Sequence, residues 1–351
     1  MRLDRSELIE SARESIKTGD VERLVQMLVK NPQLASAHGA DGRSLLHTVV
    51  DWPGGNPEGP ALVQALLDAG ANPDARFQGS GESVLHWAAS NDDDSKVIEV
   101  LAQAGAELDA PGGVVDGGTP LDNAVNFGKI EAAETLAEMG AAVYNFRVAA
   151  GLGRLQKMQS WLDGSGLLSA EAGRQAPDSE IPGQRLSEQE SRRVAQKAFS
   201  AAVFSLQFQV ADWLLDYGVD INDISEGADS TLLHQVAYRG KLPMAMYLVA
   251  RGADLDIPSP VYKGTPFQYA FVHGKPDIMN YLIDQGSEIS LPTAAQCGRL
   301  DIVLKRWDEC TDPRALLQET VGDRTAVGKP IHPETMKARA AVARFVRSKG
   351  N

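Results

Sequence analysis

Residues 81–90 read GESVLHWAAS and set His86 beside Trp87. Near neutral pH an imidazole can shuttle a proton or bind a transition metal, and an adjacent indole can stack on a ligand. His47 and His234 sit in phrases of the same kind. His273 stands near carboxylates and invites an acid–base role, but no spacing supports one. Asp92, Asp93 and Asp94 run together and invite a hard cation such as Ca²⁺. Cys297 and Cys310 are the two thiols.

Each candidate has a competing structural reading. The D-x-[DN]-x-[DN]-G…E loop is missing around Asp92, so a solvated turn or helix N-cap is favoured there. Neither cysteine belongs to a CxxC pair, and nothing in the sequence activates Cys297. Both read as reduced thiols of a cytoplasmic protein. GxxxxGK[ST], GxSxG and HExxH do not occur. GGVVDGG (112–118) is glycine-rich without opening a nucleotide fold, and AGLGRL (150–155) follows no predicted strand. No cofactor and no metal are expected.

The elements that must position these residues follow from composition and period. The 351 residues are 43% hydrophobic but only 6% aromatic, and Ala, Leu and Gly dominate. That balance favours closely packed helices over a β-sandwich. A formal charge of −13 repels nucleic acid on average. The cations of KARAAVARFVRSKG (337–350) read as a helix end complementing its own dipole. MRLDRSELIESARESIK is charged throughout, with no signal-peptide core. No apolar run approaches the roughly 18 residues a membrane helix needs.

One phrase recurs. GRSLLHTVV (42–50), GESVLHWAA (81–89), GGTPLDNAV (117–125), DSTLLHQVA (229–237) and KGTPFQYAF (263–271) share Ser or Thr, an apolar pair, a polar residue and then small residues. The polar position holds His47, His86, Asp122, His234 and Gln268. Each phrase is followed by an apolar stripe of helical period that ends in Gly, as in ALVQALLDAGANPDA (61–75) and PMAMYLVARGADLDI (243–257). FRVAAGLGRLQKMQSWLD (146–163) and LPTAAQCGRLDIVLKRWDE (291–309) are shorter units without the hairpin lead-in. Their counterparts of the polar position are Arg147 and Pro292. A further unit runs over 198–223, with Ser205 where Gly is usual.

The TPL of Thr119–Leu121, the LLH and VLH variants and the GANPD and GADLD endings resemble the ankyrin-repeat family. The resemblance runs from about residue 5 to 310. It implies an all-α solenoid of about eight helix-pair units with short β-hairpin turns. An N-terminal helical cap would fill 1–40, repeats 41–163, a linker or ordered insert loop 164–190, and repeats again 191–309. The final 310–351 would hold an irregular segment and a C-terminal capping helix. The resemblance also makes His47, His86 and His234 structural, each tied to the Ser or Thr three residues before it at a helix start.

Function is then expected on the concave face of the repeats. Register places there Asp51 and Trp52, Ser90 and Asn91, Asn126 and Phe127, Tyr238 and Arg239, and Val272 and His273, with Val203 and Phe204 holding the place in the 198–223 unit. Aromatic and Arg residues of this kind favour binding; the competing reading folds Trp52 and Phe127 onto a neighbouring repeat. Trp87 reads as packing between repeats rather than ligand stacking. The leading expectation is a non-enzymatic module whose protein partner has a basic surface complementing the −13 charge. The alternative is a small-molecule binder or enzyme with a cleft between the two repeat halves, closed by 164–190 and 309–332. Self-association through a helical edge is a third expectation.

Overall fold

The computed structural model describes residues 4–51, 56–91, 95–177, 179–181, 183–224, 229–320 and 333–349. Trp52, Asp92, Asp93 and Asp94 lie outside them, as does 321–332 within the segment expected to act as a lid. Contacts divide the chain into two compact units, Met1–Val219 and Asp220–Asn351.

The first unit contains α1 (Arg5–Lys17), α2 (Val21–Lys30), α3 (Leu45–Val49), α4 (Gly59–Asp68), α5 (Val84–Ser90), α6 (Ser95–Gln103), α7 (Pro120–Phe127), α8 (Ile130–Glu138), α9 (Phe146–Gly151), α10 (Leu155–Ser160), α11 (Glu188–Phe204) and α12 (Phe208–Asp216). α1 starts on a reciprocal cap: the Glu7 N–H donates to Asp4 Oδ1 at 2.9 Å, and the Asp4 N–H donates to Glu7 Oε2 at 2.8 Å. Consecutive helix pairs stack. First helices meet first helices in the order α1, α3, α5, α7, α9, and second helices follow as α2, α4, α6, α8. The core is the shared apolar stripe of these pairs, for example Leu46, Leu62, Leu85, Ile98, Leu121 and Leu136, each at most 1% exposed.

The second unit contains α13 (Leu232–Arg239), α14 (Leu242–Ala250), α15 (Pro266–Val272), α16 (Pro276–Asp284), α17 (Leu291–Gln296), α18 (Leu300–Lys305), α19 (Pro313–Glu319) and α20 (Pro333–Lys349). α13 packs on α15, and α14 on α16. α20 closes this stack against α17, α18 and α19, burying Val342 and Val346 and setting Phe345 edge-on to Trp307 at 5.0 Å. The cationic helix thus covers an apolar face of α17, α18 and α19.

The hairpins are single bridges rather than strands, such as His38 with Ser44 and Arg76 with Ser83. A second device ties one repeat to the next. The Glu107 N–H donates to Asp74 Oδ1 at 2.7 Å, and the Ala142 N–H to Asp109 Oδ1 at 2.9 Å. The Asp254 N–H donates to Asn222 Oδ1 at 2.8 Å, and the Glu288 N–H to Asp256 Oδ1 at 3.1 Å. The Asn and Asp residues after Gly70, Gly105, Gly218 and Gly252 therefore each tie their turn to the next.

Segment 164–190 packs within the first unit. Leu168, Ala170 and Ala172 are buried, and a short 3₁₀ turn, Ala170–Gly173, rests on α9 and α11. α11 in turn packs on α9 and α7, and the division between units falls after Val219. A few buried residues are enough to dock an otherwise polar insertion.

Gly128 shows how tight the α7–α11 contact is. It ends α7 in the left-handed region at φ 67°, and a Cβ there would lie 2.5 Å from the Phe204 carbonyl oxygen. Both the φ and the space oppose a side chain. Gly128→Ala is expected to cost about 2 kcal/mol or more in urea denaturation, whereas Gly81→Ala, with φ 80° but open space, should cost only the backbone strain.

Candidate functional site

The histidines of the repeated phrase are joints. Ser44 Oγ–H donates to His47 Nδ1 at 2.8 Å, and His47 Nε2–H reaches the Glu82 carbonyl at 3.3 Å. His86 makes the same pair of bonds to Ser83 and to the Gly118 carbonyl, and His234 to Thr231 and the Gly264 carbonyl. The Ser83 N–H also donates to His86 Nδ1, which makes that nitrogen the acceptor and Nε2 the donor. Each ring therefore caps its own helix and holds the hairpin of the next repeat. Burial drives the His47 pKa down to about 4 and lowers those of His86 and His234. Both ring nitrogens of each histidine are thus engaged in bonds within the repeats. Burial pushes the Cys297 thiol up to about 12.

Where the next unit lacks a hairpin, the joint changes chemistry. Asp122 is fully buried and bonds Arg147, the residue at the same register of the following short unit, at 2.6 Å. Tyr144 Oη–H donates to the same carboxylate, and Asn145 Nδ2 reaches it at 3.3 Å. The Arg147 guanidinium continues to Asp116 at 3.0 Å, and Asp116 to Lys197 of α11 at 2.7 Å. Burial and the Asp122 carboxylate together raise the Tyr144 pKa.

A cleft of about 300 Å³ opens across three successive repeats of the first unit. It is lined by Arg43, Val50 and Asp51 around α3, by Glu82, Trp87, Ser90 and Asn91 around α5, and by Val114 and Phe127 around α7. The first helices are short, 5 and 7 residues for α3 and α5, so residues before and after them reach the same space. Trp87 is half-buried, edge-on to His47 at 5.1 Å and to Phe77 at 5.2 Å. Arg43 lies over its ring at 5.1 Å and is ion-paired with Asp51. Glu82 is 7% exposed and accepts from Asn123 Nδ2, the Val114 N–H and Ser80 Oγ–H.

Of the residues expected on a binding face, Asp51, Ser90, Asn91 and Phe127 meet in this cleft. Asn126 is half-buried beside it in sequence without lining it. Phe204 is a correction: it is 4% exposed, because α11 docks on α7 and takes the position into the core. Tyr238, Arg239 and His273 belong to the second unit. Tyr238 is 48% exposed and edge-on to His273 at 4.3 Å, and Arg239 is half-buried, with burial lowering its pKa. Register reasoning missed Arg43 and Glu82 and assigned Trp87 to packing alone. The available signal was a charged residue directly before the capping Ser in GRS and GES.

The charge is unevenly held. In Asp220–Asn351, Lys and Arg balance Asp and Glu at 16 each, so the whole formal charge of −13 belongs to Met1–Val219, the unit with the cleft.

Stacked helix pairs with capped first helices and a turn ladder define a helical repeat protein. A family model for ankyrin repeats in three copies matches residues 55–146 and 198–293, more than half of the sequence, and the chain belongs to the ankyrin-repeat family. The stretch 147–197 between the two matches holds α10, α9 apart from its first residue, and the 164–190 insertion. Among solved structures, the chain is similar to the human ASB11 ankyrin repeat domain, with TM-score 0.37 and 16% identity over 80% of this chain and 99% of that one. It is also similar to the ankyrin repeat domain of Bcl-3, a unique member of the IkappaB protein family, with TM-score 0.35 and 20% identity over 78% of this chain and 96% of that one. No curated protein sequence gives a significant match. Among the described residues no helix is long and apolar enough to cross a membrane.

Proposed function

We propose that the chain is a protein-interaction module that engages a partner with a basic surface at the cleft of its first unit. Ankyrin repeats are generally interaction modules, and the observation that carries the reading here is the cleft itself. Its aromatic walls, Trp87 and Phe127, stand beside a buried carboxylate and an ion pair in the unit that holds the net charge of −13. Aromatic anchors in a partly desolvated recess supply most binding energy, while long-range charge sets the association rate. Tyr238, Arg239 and His273 form a second, smaller contact patch in this proposal.

The test is affinity capture followed by quantitation of the purified pair. Phe127→Ala is expected to weaken the partner by at least about tenfold, and raising salt from 50 to 300 mM should slow association further. A partner whose affinity is unchanged by Phe127→Ala and by Trp87→Ala, with both variants folded by circular dichroism, removes the cleft from the interface.

A further inference from the structure

Unsatisfied polarity singles out one point in the cleft. Asn91 is 1% exposed, yet neither its amide nitrogen nor its amide oxygen has a hydrogen-bond partner among the described residues. The Trp87 indole N–H, which also lines the cleft, is buried and unpaired in the same way. Native interiors leave few such groups, because an unmade bond forfeits the full desolvation cost of its atom. Asn91 caps the end of α5 through its backbone N–H, a task any residue performs, so its side chain is not needed for the helix.

The free capacity defines the ligand chemistry. Asn91 offers two donors and an acceptor on one planar edge, and Trp87 offers one donor. Ser90 Oγ–H is already spent on the His86 carbonyl at 2.8 Å, and Glu82 on its three donors. An anion would face the Asn91 oxygen and the Glu82 and Asp51 carboxylates. A lone cation would leave the Asn91 and Trp87 N–H groups unmatched. An amide satisfies both edges, its C=O facing the Asn91 NH₂ and its N–H facing the Asn91 oxygen. In an extended chain, one residue presents its N–H and C=O to the same side.

We propose that Asn91 reads the main-chain amide of an extended segment of the protein partner, with an apolar side chain of that segment held against Trp87 and Phe127. The Trp87 N–H takes a further carbonyl of the segment. Basic residues flank the segment, because the unit around the cleft carries the net negative charge. This inference rests on the protein-interaction reading above and adds to it the chemistry that is recognised.

A random heptapeptide library displayed on phage is selected on the full chain, and on Asn91→Leu and Trp87→Ala chains in parallel. Leucine keeps the volume of Asn91 and removes two unpaired atoms, so folding should be retained. The expected result is a set of basic heptapeptides with one apolar position, bound at least about tenfold more weakly by Asn91→Leu. In the best synthetic peptide, N-methylation of one main-chain nitrogen should cause a loss of similar size on the unaltered protein, a readout that does not depend on how any variant folds. Peptides lost on Trp87→Ala but insensitive to Asn91→Leu and to N-methylation would overturn the amide reading and leave the cleft in place. Peptides indifferent to all three changes would sink the cleft as well. A selection with no enriched sequence would overturn the peptide occupant.

Discussion

Asp122→Ala is expected to lower the unfolding free energy by about 3–5 kcal/mol. The carboxylate is fully buried and collects the Arg147 guanidinium, the Tyr144 hydroxyl, the Asn145 amide and the N–H of Thr119. Truncation strands the inner edge of Arg147 and the Thr119 N–H, while the Tyr144 hydroxyl and the Asn145 amide keep the Gln175 and Arg174 carbonyls as acceptors. Arg147 is only 9% exposed, so its charge would keep a single bond to Asp116 and little water. The large term is thus the unpaired charge left behind, not the strength of one bond. It follows that Asp122→Leu combined with Arg147→Leu should recover most of the loss, since no charge then remains buried without its partner. Urea denaturation of the single and double variants checks this. A single variant costing less than about 1 kcal/mol would show that the network is bridged by solvent.

The second large effect is on pH dependence. His47 titrates at about 4 in the folded chain and near the ordinary 6.5 in the unfolded one, because burial disfavours its charged form. Between those values the unfolded chain binds a proton that the folded chain does not. Stability is therefore full above pH 6.5 and falls as pH drops toward 4, by roughly 3 kcal/mol for His47 alone. His86 and His234 add to the loss in the same direction, since their pKa values are also lowered by burial. Carboxylates such as Asp116, whose pKa is lowered despite burial by Lys197 and Arg147, lose their contribution only at more acid pH, as pH falls through their folded values. The windows separate. His47→Gln is the decisive variant, because Gln268 already makes the same cap with Thr265 in this chain, at 2.9 and 3.4 Å. It should flatten the stability profile between pH 6.5 and 4.5, read as urea midpoints. An unchanged slope would mean that His47 is not held neutral.

The helix pairs, their caps and their order were legible because that information is local and repeated. A Ser or Thr three residues before a polar side chain encodes a helix start in each phrase, and each imidazole bonds that Ser or Thr. The structure adds why the polar residue varies. His occurs where the next repeat offers a hairpin carbonyl, at Glu82, Gly118 and Gly264. Asp122 and Gln268 occur where the next unit is the short, hairpin-less kind. That rule could have been drawn from the sequence, and with it the pairing of Asp122 with Arg147.

The site was only half legible. Register brought Asp51, Ser90, Asn91 and Phe127 to one face, because their position in each repeat is the same and stacking aligns equal positions. It misplaced Phe204, whose exposure depends on how α11 docks on α7 across the 164–190 insertion. It also missed that Arg43 lies on Trp87 and that Glu82 is satisfied by Asn123, 41 residues on. The sequence by itself determined which residues begin, fill and end each helix, since those choices are settled by capping and apolar period within a few residues. Only the tertiary structure decided which of them are buried with polar atoms unpaired, because that depends on side chains from three repeats converging on one volume.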